Sequence, residues 1–215
     1  MQRTLTASLA TLSLGLLLAV STLPAWAATD TDGDSIPDKA EALIGTDPMV
    51  ADTDGDGKND KADSKPLQVA NPIPQDGKPN GLKILSGIVE NNVDPATKKD
   101  ASDHLELAIE NTSGADIAGI EVFITMKDDV SGATESTYRK LSGFAIAKGA
   151  SSTLHFDLNG TADFTAAADH FHANPNSALY KSVNPKTLEV QIAAAGFAPA
   201  VIGIKKDKGG AELQD

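Results

Sequence analysis

The feature that most constrains this chain is a run of alternating aspartates that occurs twice. Asp30, Asp32 and Asp34 recur twenty-two residues later as Asp52, Asp54 and Asp56. Residues 28–66 hold eleven acidic side chains against four lysines, and no aromatic residue at all. Such a stretch repels itself and lacks the apolar surface that would offset the entropy of ordering its backbone. It needs a counterion to take a shape.

The spacing says which counterion. Asp30, Asp32, Asp34, the Ile36 carbonyl, Asp38 and Glu41 fall at positions 1, 3, 5, 7, 9 and 12 of a twelve-residue loop. Asp52, Asp54, Asp56, the Lys58 carbonyl, Asp60 and Asp63 repeat that set. Calcium takes about six to eight oxygens in a flexible shell, which alternating carboxylates on a curled loop can supply. Magnesium demands a stricter octahedron, and zinc calls for the His or Cys that this segment lacks. The expectation is about two calcium ions, with binding and ordering as one linked process. A solvated acidic tail is the competing reading, but two ligand sets in register argue against it. Two positions depart from the EF-hand pattern: Ser35 stands where glycine is usual, and Asp63 where glutamate is usual.

Between the loops lies Gly45-Thr46-Asp47-Pro48. With it, residues 29–65 resemble the bacterial thrombospondin type 3-like calcium repeat, in which a D-x-D-x-D loop, a short acid-bearing helical turn and G-T-D-P lead into the next D-T-D-G-D-G. The resemblance implies that the twelve positions above are ligands and adds Asp47 to them. The plainer role of Asp47 is to form the turn before Pro48. A dockerin also duplicates a calcium loop, but it needs a helix after each, and Pro66 stops the second after barely a turn.

The remaining chain divides by composition. Arg3, an apolar run, Pro24 and Ala25-Trp26-Ala27 read as a secretory signal over residues 1–27, an uncleaved anchor being the alternative. Without that signal the chain has 30 acidic against 17 basic residues, which disfavours nucleic acid and anionic lipid as partners. The absence of cysteine excludes disulfides and lipid attachment. The expected location is therefore outside the cytoplasm (secreted, at the cell surface or in the periplasm), with no membrane insertion after cleavage. Residues 66–80 carry Pro66, Pro72, Pro74 and Pro79 and read as a semi-rigid linker. From residue 81 the pattern turns to period two: Leu105, Leu107 and Ile109; Ile120, Val122, Ile124 and Met126; Leu154, Phe156 and Leu158; Leu188, Val190 and Ile192. About seven such segments predict an all-β fold, an antiparallel immunoglobulin- or fibronectin-like β-sandwich over residues 81–208, with a tail at 209–215. A short helix is expected near residues 161–171.

Catalysis finds no motif here: no nucleophile elbow, H-E-x-x-H, phosphate-cradling glycine loop or cysteine nucleophile, so the expectation is a protein that is not an enzyme. His104 and His155 sit on polar strand faces, while His170 and His172 would share a face and suit a transition metal. Tyr138, Phe171, Tyr180 and Phe197 are candidates for a sugar platform, more simply read as packing. Asn111 and Asn159 head glycosylation-like triplets. The reading is an exported calcium-binding protein of adhesion or assembly, partnered by another protein or by itself, with residues 67–73 as a donor segment for a neighbour's sheet edge. The alternative is a small-ligand or carbohydrate-binding accessory module, or a dockerin-like cohesin-binding component, of an exported enzyme system.

Overall fold

The computed structural model describes residues 28–89, 104–158 and 169–208. The signal, the tail, Asn159 and most of the helix expected near 161–171 lie outside the described residues. The chain builds α1 (Asp38–Ile44), β1 (Leu82–Val89), β2 (His104–Asn111), β3 (Ile117–Asp128), β4 (Thr134–Ile146), β5 (Ser151–Asp157), β6 (His170–His172), α2 (Ala178–Lys181), β7 (Lys186–Ala193) and β8 (Ala200–Lys206). Two four-stranded sheets, ordered β1-β2-β5-β6 and β4-β3-β7-β8, make an all-β sandwich.

The period-two pattern does what it predicts. Leu105, Leu107, Ile109, Ile120, Val122, Leu154, Leu188, Val190 and Ile192 are at most 2% exposed and form one core between the sheets. Burying each such side chain contributes about 1.5–3 kcal/mol, against which the ordering entropy is set. Gly119, with φ +63°, sits where β3 slips its register with β4 between Ala118 and Ile120. One pairing departs from the antiparallel expectation: β6 runs parallel to β5. The stretch between them, Leu158 to Asp169, has the length of about a dozen residues that a parallel return requires.

The proline-rich stretch lies along its own sandwich. Gln68 bridges to Ser136 of β4, and Lys78 bridges to Phe197. Ile73 is 3% exposed and packs with Phe123 and Ala193 on the outer face of the second sheet. The segment that sequence offers as a donor strand is thus engaged within its own chain. Asn111 is buried and donates to the carbonyls of Ala115 and Ile146, so its amide serves packing and is shielded from modification.

Candidate metal centre

The two acidic loops are built from one hydrogen-bond set repeated at the sequence interval. Asp30 accepts from the backbone of Gly33 at 2.9 Å and Ser35 at 3.1 Å; Asp52 accepts from Gly55 at 2.9 Å and Gly57 at 2.8 Å. The Asp34 N–H donates to Asp32 and the Asp56 N–H to Asp54, both at 3.0 Å. Asp34 then accepts from Ile36, and Asp56 from Lys58. Local bonds of this kind curl a short polar stretch without any core. Gly33 and Gly55 turn the loops at φ +77° and +81°, and the next turn falls on Gly57 at +91° but on Ser35 at +76°. An L side chain in that region costs about 1–2 kcal/mol, so the first loop holds strain that the second avoids.

Asp38 and Asp60, at position nine, close the loops. The backbone and hydroxyl of Thr31 both donate to Asp38 at 2.9 Å, and those of Thr53 donate to Asp60 at 2.8 and 2.6 Å. Glu41 comes from α1, which follows Pro37, keeps its acids in the first turn where the helix dipole favours them, and stops at Gly45 with φ +91°. That short helix folds Glu41 back over the first loop and against the second. Asp34, Glu41 and Asp60 are 3%, 0% and 3% exposed, and their ligand oxygens lie within 4.8 Å of one another. Asp30, Asp32 and Asp34 form a second such trio, and Asp52, Asp54 and Asp56 a third.

These oxygens are short of donors. Asp32 Oδ2, Asp34 Oδ2 and Glu41 Oε2 are buried and accept no hydrogen bond among the described residues. Burial, then the charges of Asp32 and Asp34, push the Glu41 carboxyl up to about 7; Thr46 pulls it only partly back. Burial also dominates at Asp54, raised to about 6, with Asp56, Asp52 and Asp63 adding repulsion. Asp32 and Asp60 are raised for the same leading reason. A donor set made only of oxygens, desolvated and mutually repelling, fits a hard divalent cation.

A pH test follows. In the ion-free chain Glu41 binds its proton more tightly folded, at about 7, than at its ordinary 4.5. Its contribution to stability is thus present below pH 4.5 and is lost as pH rises toward 7. Denaturation in chelator should show the acidic segment least stable above that window, and a stability that climbs with pH across it would refute this account.

The remaining candidates have other partners. Asp56 is engaged by the Lys58 ammonium as well as by its backbone. Asp63 accepts from the Lys65 N–H at 3.0 Å and joins none of the three trios. Asp47, 1% exposed, meets His172 Nε2 at 3.0 and 2.8 Å through its two oxygens.

Sequence reasoning missed the groups that hold the acidic segment down. Arg139 of β4 is 8% exposed and its guanidinium donates to the carbonyls of Thr53 and Tyr138. Asn174 donates to Gly45 and Asn176 to Thr46, each at 2.8 Å, and the Tyr138 N–H donates to Asp54 at 2.8 Å. Only Asn-Pro-Asn at 174–176 could have been flagged, as a turn rich in side-chain amides. Of the aromatic candidates, Phe171 and Tyr180 are 0% and 6% exposed and belong to the interior.

No family model matches this chain, and no curated protein does either. Among solved structures, it is similar to the Pseudomonas fluorescens alkylpurine DNA glycosylase AlkC bound to DNA containing an abasic site analog (15% identity, TM-score 0.30, 59% of this chain and 30% of that one). It is also similar to Bacteroides uniformis β-glucuronidase 2 (11%, 0.30, 60% and 13%) and to the sporulation control protein Spo0M of Bacillus subtilis (10%, 0.32, 60% and 50%). The chain spans half or less of each of these, and superpositions this loose carry no argument about function.

Proposed function

We propose that this chain is an exported calcium-binding protein in which about two calcium ions rigidify an acidic segment on a β-sandwich, in the service of adhesion or assembly. One observation carries the reading: a fully buried Glu41 with an oxygen that accepts no hydrogen bond among the described residues, facing Asp34 and Asp60. A buried carboxylate left so costs several kcal/mol, and the cheapest remedy for three together is a cation.

Asp30, Asp32, Asp34 and Glu41 would hold one ion, with Asp60 reaching it from the second loop; Asp52, Asp54 and Asp56 would hold another. The ion supplies charge neutralisation and a fixed centre for the loops. The protein supplies the curl, through the Asx-type bonds, and the docking, through Arg139, Asn174 and Asn176. Asp38 and Asp60 contribute by closing the loops with Thr31 and Thr53. Leu43, Ile44 and Met49, exposed by 87%, 49% and 45%, leave apolar surface beside the first loop for a protein partner. Among the described residues no helix is long and apolar enough to cross a membrane. The carbohydrate-binding alternative loses two of its four candidate aromatics, Phe171 and Tyr180, to the interior.

Calorimetric titration tests this. Calcium should bind with dissociation constants of about 10⁻⁴ to 10⁻³ M, the range of extracellular modules. Glu41→Gln should weaken one site by about tenfold or more, because it replaces a charged ligand by a neutral one. Heat no greater than dilution for the parent chain would end the proposal.

A further inference from the structure

β4 is an edge strand of the second sheet, and its outward backbone groups are taken up by the acidic segment and the residues just after it. The Ser136 N–H donates to the Leu67 carbonyl at 2.9 Å and the Tyr138 N–H to the Asp54 carbonyl at 2.8 Å. The Thr134 carbonyl accepts from Gln68 Nε2 at 3.0 Å, and the Ser136 hydroxyl donates to the Val69 carbonyl at 2.8 Å. Asp54 joins this cover to the second loop. It is 1% exposed; its carbonyl holds Tyr138 while its Oδ2 accepts from the Gln68 N–H at 3.1 Å. A carboxylate at a ligand position of the loop is thus also the one that holds the cover on the strand.

We propose, resting on the calcium reading above, that the acidic segment is a calcium-dependent cover for the β4 edge, and that the partner it keeps off is a second copy of this chain. Without an ion, Asp52, Asp54 and Asp56 repel one another with oxygens within 4.8 Å, and the bonds made through Asp54 loosen with the loop. An edge whose N–H and C=O groups come free is a template for another strand. The sequence of β4 is complementary to itself. Paired antiparallel about a two-fold axis at Thr137, Ser136 of each copy faces Tyr138 of the other, and the two exchange the backbone bonds that the cover gave up. The same register sets Glu135 across from Arg139, an opposite-charge pair on each side of the axis. Arg139 gives up the Thr53 carbonyl when the segment lifts and gains a carboxylate in its place. The second sheets of the two copies would then run on as one.

The test is light scattering behind size exclusion on the full chain, in millimolar calcium and in chelator, at about 0.15 M salt so that the acidic segments of two copies are screened from each other. The expected result is a monomer in calcium and a dimer in chelator at high protein concentration. In dilute chelator the Ser136 and Tyr138 amides should exchange freely while those of Val122 and Val190, inside the sheet, stay protected; at high concentration the same two edge amides should regain protection. Ser136→Pro removes the N–H given to Leu67, on an edge strand where proline is tolerated, and should weaken the chelator dimer by about tenfold or more. A monomer in concentrated chelator, a dimer in calcium as well, edge amides as protected in dilute chelator as in calcium, or a dimer that leaves them open would each overturn the proposal. Absence of calcium heat in the titration above would instead end the calcium reading itself, so the two failures are told apart.

Discussion

Replacing Arg139 by methionine should destabilise the ion-free chain by about 3–5 kcal/mol, the cost of leaving one side of a buried charged cluster without its partner. Methionine keeps most of the aliphatic bulk, so the loss isolates the guanidinium. That group donates to the carbonyls of Thr53 and Tyr138 from a position only 8% exposed. Burial by itself would push its pKa down, but the charges of Asp47, Asp52, Asp54 and Asp60 act in the opposite direction. The cation and the acids therefore hold each other in place across the contact between segment and sandwich. Calcium supplies positive charge to the same acids, so the deficit of the variant should shrink in millimolar calcium. Denaturant melts in chelator and in calcium measure both quantities. A variant as stable as the parent in chelator would show that Arg139 does not hold the segment.

A matched pair of glycines gives the second large effect. Gly33 and Gly55 occupy equivalent places in the two loops, with φ of +77° and +81°. A Cβ on Gly33 meets nothing within 4 Å, whereas one on Gly55 would fall 2.0 Å from the Tyr138 carbonyl oxygen and 2.6 Å from Arg139 Nη1. Gly33→Ala should therefore cost only the backbone strain, about 1–2 kcal/mol. Gly55→Ala adds a collision with the backbone of β4, and overpacking of that kind brings about 1–3 kcal/mol more. The second loop should lift from the sandwich, visible as loss of amide protection at Tyr138, whose N–H donates to the Asp54 carbonyl. Equal melting shifts for the two variants would sink the docked arrangement.

Much of this molecule could be read along one dimension. Strand faces follow from alternation, because a side-chain period of two assigns each residue to a face whatever it meets there. The loops are equally local: each Asp bonds to a backbone N–H two to five residues on, so the twenty-two-residue interval of the sequence reappears as an interval of hydrogen bonds. Position nine was only half legible. Asp38 and Asp60 stand at ligand positions by count, yet both carboxylates also accept from a threonine seven residues earlier. Arg139 was not legible at all, since on an alternating strand it reads as one more polar residue.

By itself the sequence determined the two curled loops, the faces of the strands and the oxygen character of the candidate centre, all set by neighbours a few residues apart. Tertiary structure alone decided that the acidic segment lies against β4, that Asp60 reaches the first loop, and that His155 meets His170 while His172 meets Asp47. The physical reason is that periodicity names the face a side chain occupies but not what covers it. The balance between burying a charge and pairing it depends on groups far away in the chain.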